Sequence, residues 1–152
     1  GELGMMMMMM MIEAGLRVRH VLIWRKNQPT FSLGRLDYDY QHEPILMTWL
    51  KKHKRNKAGP FQTSVWDIDK PRASADHPTM KPVELIENCL LNHSDDSDII
   101  LDPFLGSGTT LVACERLHRR GRGTELSPAY VAVCLERLAA LGLTPRRIEA
   151  AP

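Results

Sequence analysis

Residues 97–125, SDIILDPFLGSGTTLVACERLHRRGRGTE, decide the fold of this chain. Between Asp98 and Asp102 stand three consecutive apolar residues, a run too short for a helix and typical of a strand buried on both faces. A turn containing Gly106 and Gly108 follows, and the next segment has apolar residues at helical spacing. The pattern predicts a strand, a tight turn and a helix, with a ligand cradle at the carboxyl end of the strand.

A glycine turn of this kind binds ligands through main-chain N–H groups and the helix amino terminus, and the ligand is commonly a nucleotide phosphate. The residues here argue against phosphate, because no Lys follows Gly108 and position 111 is Leu where a dinucleotide fingerprint has a third glycine. After the helix, residues 121–125 begin a second strand that ends in Glu125, 23 residues beyond Asp102. A carboxylate at that distance accepts hydrogen bonds from ribose hydroxyls, so the sequence indicates a ligand with a ribose and no obligatory phosphate.

Three motifs in order carry a resemblance to a known family: HPTMKP at 77–82, DPFLGSGTT at 102–110 and GTELSPAY at 123–130. Together they resemble the S-adenosylmethionine-binding half of a DNA amino-methyltransferase. The likeness is to the permuted subgroup that methylates the exocyclic amine of adenine or cytosine, in which the cofactor motifs follow the catalytic motif. It covers nearly the whole chain and implies an α/β, Rossmann-like methyltransferase fold, with S-adenosylmethionine as the cofactor and DNA as the partner.

The resemblance also implies a role for each matching residue. Glu125 is expected to hold the ribose, Asp102 to orient the amino group, and Lys81 with Thr79 to hold the carboxylate at the methionine end of the cofactor. Phe104 and the glycine turn are expected to line the methionine and the sulfonium. The full set of candidate cofactor-binding residues is His77, Thr79, Lys81, Asp102, Pro103, Phe104, Gly106, Ser107, Gly108, Thr109 and Glu125.

The strands of the rest of the chain follow from apolar patterning. Strands are predicted at 16–24 and 42–50, and a short edge strand at 64–68. The second strand begins with His42 and Glu43, for which structural hydrogen bonds are expected rather than catalysis. The polar loop at 27–41 is either a surface loop packed by its own aromatic rings or a wall of the target-base pocket.

Four helices are predicted. Met5 to Met11 is a run of seven methionines compatible with a helix capped at Gly15, or a sign that the sequence was altered or truncated there. The helix after the glycine turn is capped by Ser107 or Gly108, and two more begin at Pro82 and at Ser127-Pro128. Their expected core residues are Thr110, Ala113, Cys114 and Leu117, then Val83, Ile86, Cys89 and Leu90, and finally Val131, Cys134, Leu135 and Leu138.

A basic run, KKHKRNK at 51–57, places five Lys or Arg and one His in seven positions. Alone, such a run is usually a solvated surface. In the DNA amino-methyltransferases that this chain resembles, the corresponding segment commonly holds target-recognition elements. Basic residues in such a segment suit contacts to DNA phosphates. The candidate DNA-binding residues are Lys51, Lys52, Lys54, Arg55 and Lys57.

The composition limits the class of protein. With 152 residues, 43% of them hydrophobic and 25% charged, the chain is ordinary for a globular protein, and the net charge of +2 requires any affinity for nucleic acid to come from local clustering. The three cysteines form no C-x-x-C pair, which indicates buried thiols in a reducing compartment and argues against a metal site. No targeting segment or membrane span is expected, so the predicted location is the cytoplasm.

One motif of the family is absent. Members carry Asp, Asn or Ser followed by Pro-Pro and an aromatic residue on a central strand, and this sequence contains no Pro-Pro pair. We therefore expect no catalytic residue in the chain, a fold that lacks its central catalytic-motif strand, and a missing amino-terminal fragment or second subunit as a partner. The alternatives are a non-catalytic remnant or a DNA-binding regulatory module, and a methyltransferase acting on RNA or protein, which the motifs disfavour.

The predicted organisation has four parts. Residues 1–50 form the carboxyl part of a catalytic subdomain, 51–76 a short target-recognition segment, 77–145 the cofactor-binding subdomain and 146–152 a tail.

Overall fold

A computed structural model describes residues 2–29, 37–53, 63–70 and 80–148. For residues 2–4 it describes the main chain alone. The chain divides into two compact units, Gly1–Lys70 and Pro71–Pro152. The finer division of the chain at residues 50, 76 and 145 stays a prediction. Within the described ranges, none of the helices has the length and apolar character needed to cross a bilayer.

The described residues of the first unit form a small sheet and one helix. Its elements are α1 (Glu2–Glu13), β1 (Val18–Arg25), β2 (His42–Thr48) and β3 (Val65–Asp67). The sheet order is β2-β1-β3, in which β1 pairs antiparallel with β2 and parallel with β3. The three predicted strands are confirmed, including the edge position of β3.

Buried aromatic residues hold this sheet together. Trp24, Trp66 and Ile68 are buried, and the indole Nε1 of Trp24 donates to the carbonyl of Ile68 over 2.7 Å. The Nζ of Lys26, a side chain only 4% exposed, lies 3.0 Å from Oε1 of Glu43. A cation this deeply buried requires a charged partner, so the structural role expected for Glu43 is confirmed.

Helix α1 is confirmed, together with its end. Gly15 has a φ of +75°, the left-handed conformation that glycine adopts most readily. The N–H of Gly15 donates to the carbonyl of Ile12 over 2.9 Å, and the N–H of Leu16 donates to Met11 over 2.7 Å. These bonds complete the carboxyl cap. Most of the methionines with described side chains are exposed, because a uniform run presents no distinct apolar face.

The second unit has a repeating helix and strand order. Its elements are α2 (Val83–His93), β4 (Ile99–Asp102), α3 (Thr109–Arg116), β5 (Arg120–Gly123) and α4 (Pro128–Ala140). Strands β4 and β5 are parallel, with Ile99 opposite Arg120 and Asp102 opposite Gly123. The predicted strand, glycine turn, helix and second strand are therefore confirmed, but the expected end of the second strand is wrong, because β5 ends at Gly123 and Glu125 lies two residues beyond it.

Two apolar clusters surround α3. One contains Leu90, Ala113 and Cys114 with Ile100 packed against them, and the other contains Val112, Cys134 and Leu138. Helix α3 therefore lies between α2 and β4 on one side and α4 on the other. Because α3 is fixed from both sides, the turn that precedes it has a rigid support.

The expectation that β4 is buried on both faces is wrong. Ile99 and Leu101 are 52% and 67% exposed, whereas Ile100 packs into the cluster with Leu90. Three consecutive apolar residues do predict burial on both faces, but in the described part of this unit only one face of the strand is covered. Burial depends on neighbours in space that the local pattern does not contain.

Helix α4 is less buried than its pattern predicts. Cys134 and Leu138 are buried, but Val131 and Leu135 are 37% and 46% exposed, contrary to the prediction. The residues of α4 that join the apolar cluster with Val112 of α3 are Cys134 and Leu138, and Val131 and Leu135 are not part of this cluster. Helix α2 begins at Val83 with Pro82 as its flanking residue, one position later than predicted.

Candidate functional site

The candidate site is the turn that connects β4 with α3, together with the segment after β5. The N–H of Thr124 donates to the carbonyl of Asp102 over 3.0 Å, and the N–H of Leu105 donates back to Thr124 over 2.9 Å. The N–H of Gly108 closes the turn on the carbonyl of Leu105 at 3.1 Å. The two strand ends are therefore joined by main-chain hydrogen bonds, which fix the path of the turn between them.

The carboxylate of Asp102 organises the first half of the turn. Its Oδ1 accepts the N–H of Phe104 over 2.9 Å, and its Oδ2 accepts the hydroxyl of Thr110 over 2.6 Å. The side chain is only partly buried. A carboxylate has about four lone-pair positions, so Asp102 retains capacity to accept a hydrogen bond from a ligand.

Glu125 organises the second half. Its Oε2 accepts the N–H of Gly106 over 2.7 Å, and its Oε1 accepts the N–H of Ser127 over 2.8 Å. The N–H groups of Ser127 and then Gly106 lower the pKa of Glu125, because both hydrogen bonds favour the ionised carboxylate. Glu125 is therefore an anion at neutral pH that ties the glycine turn to the start of α4.

The two glycines of the turn serve different purposes. Both have positive φ, +55° at Gly106 and +82° at Gly108. A Cβ at Gly108 would lie 2.3 Å from Sγ of Cys134, whereas a Cβ at Gly106 would have nothing within 4 Å. Gly108 is thus required by close packing against α4. Gly106 leaves open space at the surface of the turn, where a ligand can approach the main chain.

Arg137 supports the turn from α4. Its Nη1 donates to the carbonyl of Ser107 over 2.7 Å and lies 3.1 Å and 3.2 Å from the hydroxyl oxygens of Ser107 and Thr109. Burial lowers the pKa of Arg137, because the guanidinium is partly removed from water. The cation fixes the orientation of the buried side of the turn.

The structure brings most of the predicted cofactor residues together. Asp102, Pro103, Phe104, Gly106, Ser107, Gly108 and Thr109 form one turn with Glu125, and Ser107 to Thr109 are buried in it. Phe104 is 88% exposed beside the turn. Lys81 is exposed just before α2, and its carbonyl lies 3.5 Å from the Thr109 hydroxyl. His77 and Thr79 lie outside the described residues.

The predicted DNA-binding residues belong to the other unit. Lys51 and Lys52 are exposed after β2. Lys54, Arg55 and Lys57 lie outside the described residues, as does part of the loop at 27–41 that was considered for the base pocket. In the described ranges, His, Cys, Asp and Glu side chains form no group of three or more suited to hold a metal ion.

The cysteines are unreactive in character. Cys114 and Cys134 are buried and Cys89 is partly buried, and none forms a disulfide. Burial raises the pKa of Cys89 to about 11 and also raises that of Cys114 and Cys134. Thiols with raised pKa values are protonated at neutral pH, so they act as small apolar side chains here.

Sequence reasoning missed two residues of the site. Thr110 was expected only as part of the buried face of α3, although its hydroxyl holds Asp102. Arg137 was not predicted at all. One signal was available, because Arg137 lies three positions after Cys134 and next to Leu138, at the margin of the apolar side of α4. A cation at such a position is a candidate for an internal hydrogen-bond donor.

Comparisons with known proteins identify the family of this site. The family model N6_N4_Mtase, described as DNA methylase, matches residues 4–136. The type II methyltransferase M.Cfr9I of Citrobacter freundii is 33% identical over 151 residues, which are 91% of this chain and 50% of that protein. M.XycI of Xanthomonas campestris pv. cyanopsidis is 42% identical over 129 residues, 83% of this chain and 43% of that protein.

Solved structures agree with the sequence comparison. The crystal structure of the M1.HpyAVI–SAM complex is 32% identical to this chain and superimposes with a TM-score of 0.72, covering 85% of this chain and 66% of that one. The fold is therefore that of the methyltransferases, as the sequence predicted. The chain spans about half the length of the curated relatives it matches. Because the family model matches most of its residues, the chain belongs to the DNA methylase family N6_N4_Mtase.

Proposed function

We propose that this chain is the cofactor-binding part of a site-specific DNA methyltransferase, which transfers a methyl group from S-adenosylmethionine to the exocyclic amine of adenine or cytosine. The observation that carries the proposal is the family match over residues 4–136, which includes the turn held by Asp102 and Glu125. The proposed location is the cytoplasm, supported by the bacterial origin of the relatives M.Cfr9I and M.XycI.

The geometry of the turn fits this cofactor. Open space at Gly106 leaves the main chain accessible, and each oxygen of Glu125 holds one N–H, which leaves lone pairs for the two ribose hydroxyls. Asp102 and Glu125 contribute two carboxylates to the site, and residues 102–110 contain no lysine that could pair with a phosphate. This charge distribution suits a ligand that carries a cationic sulfonium and an ammonium group. A ligand of this kind is attracted where a nucleotide phosphate would be repelled.

Each residue of the turn then has a proposed task. Glu125 holds the ribose and Asp102 the amino group, while Lys81 with Thr79 holds the carboxylate. His77 is a further candidate contact to the cofactor. Pro103 and Phe104 cover the methionine, and Gly106 to Thr109 supply the main-chain surface beneath it. The cofactor, once bound, supplies an electrophilic methyl group. The contribution of these residues is to bind and orient it.

Methyl transfer needs a further group that this sequence does not contain. The exocyclic amine of a base is a poor nucleophile, because its lone pair is delocalised into the ring, and an acceptor aimed at the amine hydrogens must stabilise the developing charge. In the family this acceptor belongs to the Pro-Pro-aromatic motif, and the chain has no Pro-Pro pair. We therefore propose that the chain alone does not methylate DNA.

Methyl incorporation tests this proposal. The purified chain is incubated with tritiated S-adenosylmethionine and mixed-sequence DNA, alone and with a co-expressed fragment that carries a Pro-Pro-aromatic motif. We expect incorporation only with the fragment, and its loss in Asp102→Ala. Loss of one preorganised stabilising group typically slows a reaction by about 10² to 10³. Incorporation by the chain alone, abolished by Asp102→Ala, would show that the acceptor lies within these residues.

A further inference from the structure

The first unit contains an irregularity in its sheet at Arg19. The register of β1 against β2 is continuous from His20 to Arg25, but it shifts between Val18, opposite Thr48, and His20, opposite Met47. Arg19 is therefore an extra residue in β1, which is the definition of a β-bulge. Bulges redirect side chains, because they interrupt the alternation of successive residues between the two faces of a strand.

The bulge directs two successive side chains to one ring. The guanidinium of Arg19 lies 5.2 Å from the centre of the Trp49 ring, and the His20 ring lies 5.8 Å from it. In a regular strand, neighbouring residues point to opposite faces and do not share a contact of this kind. His53 stacks on the same indole with a centroid distance of 3.9 Å and an interplanar angle of 24°. Trp49 thus connects the bulge with the start of the basic run.

These residues form a basic surface, named here the Trp49 cluster: Arg19, His20, Trp49, Lys51, Lys52 and His53. All members except the partly buried Trp49 are exposed. Segments 16–20 and 49–53 together contain four Lys or Arg, two His and no Asp or Glu. The net charge of the whole chain is only +2, so the positive charge at this place is a local concentration. It therefore favours a polyanion.

The indole gives the cluster a fixed form. A guanidinium held over an aromatic face has fewer conformations to lose when it contacts a phosphate, which lowers the entropic cost of binding. Cations held in this way suit contacts to backbone phosphates, which depend on charge and position and not on the identity of the bases. A free run of lysines has no such organisation.

We propose that the Trp49 cluster binds the backbone phosphates of duplex DNA. The proposal rests on the proposed function and deepens it, since it adds the bulge residues and Trp49 to the basic run at 51–57. Arg19 contacts a phosphate, Lys51 and Lys52 contact its neighbours, and Trp49 holds the guanidinium in place. The contacts position the duplex without reading its sequence.

Fluorescence anisotropy of the full chain with a labelled mixed-sequence DNA duplex, over a series of NaCl concentrations, tests the cluster. Arg19→Ala should reduce the slope of log affinity against log salt by about one unit, because one phosphate contact is lost. Trp49→Leu should weaken binding by about threefold without a change of charge, and Trp49→Phe should restore most of the loss. Arg25→Ala is the matched control, because Arg25 is an exposed arginine of the same strand that is paired with Asp67.

The outcomes separate this inference from the proposed function. A wild-type chain without any affinity for DNA would overturn the cluster, whereas the proposed function fails if the chain does not bind S-adenosylhomocysteine. Wild-type binding that Arg19→Ala and Trp49→Leu leave unchanged, or that Arg25→Ala weakens as much as Arg19→Ala does, would overturn the cluster alone. Variants that lose affinity for duplex RNA but retain it for duplex DNA would also overturn the cluster alone, because the lost contacts would then belong to RNA. A near-ultraviolet circular dichroism spectrum of Arg19→Ala that matches the wild type would show that the first unit is folded, since Trp24, Trp49 and Trp66 all lie in it.

Discussion

Glu125 combines two tasks in one carboxylate. It accepts one main-chain N–H from Gly106 in the turn and one from Ser127 at the start of α4, and it is the proposed partner of the ribose. Removing it therefore disturbs the turn as well as the ligand contact. A variant that simply binds less cofactor would not distinguish the two effects, so the test must vary the ligand as well as the protein.

A ligand without one ribose hydroxyl makes that distinction. Glu125→Ala should weaken binding of S-adenosylhomocysteine by about tenfold, because a charge-assisted contact is lost. The wild-type chain should also prefer S-adenosylhomocysteine to its 2′-deoxy analogue, and Glu125→Ala should lose this preference. Titration calorimetry measures both, with Glu115→Ala as a control, since Glu115 is an exposed carboxylate on α3. A preference retained in Glu125→Ala would assign the ribose to another residue.

The charge of Glu125 should also be visible in the pH dependence of stability. Its pKa is lowered in the folded chain, so its contribution is present above the unfolded pKa and is lost as the pH falls through the folded pKa. The Tm difference between wild type and Glu125→Gln should therefore be largest near neutral pH and shrink between about pH 5 and pH 2. Thermal melts of both proteins across this range check it. A difference that does not change with pH would mean that the carboxylate is not stabilised in the folded state.

At the scale of elements, the turn is fixed by the packing of α3 between its neighbours. Gly108 is the tightest point, because a Cβ there would meet the side chain of Cys134 on α4. Gly106, two residues earlier, has a similar backbone conformation and open space. A comparison of alanine substitutions at Gly106 and Gly108 therefore distinguishes the free-energy cost of a strained φ from that of a steric clash.

Substituting alanine at each glycine should give different losses of stability. Gly106→Ala should reduce the free energy of unfolding by about 1 kcal/mol, the cost of a left-handed conformation for a residue with a Cβ. Gly108→Ala carries the same strain and also forces α3 and α4 apart, so it should lose a further 1 to 3 kcal/mol, roughly the cost of overpacking. Urea unfolding of both variants gives the two values. Equal losses would show that α4 does not pack closely on the turn.

The helices and strands could be predicted from the sequence more fully than the burial and hydrogen-bond partners of their side chains. Strand β4, helix α3 and the end of α1 at Gly15 follow from local periodicity and turn residues, and all are confirmed. The exposure of Leu101 and the bonds from Arg137 to Ser107 could not be predicted in the same way. Both depend on elements distant in sequence, because burial and hydrogen-bond partners are set by the neighbours that tertiary packing provides.

At the scale of the whole molecule, the described residues contain a turn suited to a cofactor, and the sequence contains no Pro-Pro motif of the kind that carries catalysis in the family. The family match covers residues 4–136, the sequence has no Pro-Pro pair, and the curated relatives are about twice as long as the region they share with this chain. The proposed division of labour follows: cofactor binding belongs to these residues, and activation of the base amine belongs to a Pro-Pro-aromatic segment. Cofactor binding is therefore the property that this chain should display by itself.

Calorimetric titration of the 152-residue chain with S-adenosylhomocysteine tests this central claim most directly. We predict saturable binding at one site, weakened by about tenfold in Asp102→Asn, which keeps the shape of the side chain but removes the charge that holds the amino group. Asp69→Asn, an exposed aspartate in the other unit, should bind like the wild type. A folded wild-type chain that shows no binding, or an Asp102→Asn variant that binds as tightly as the wild type, would contradict the account.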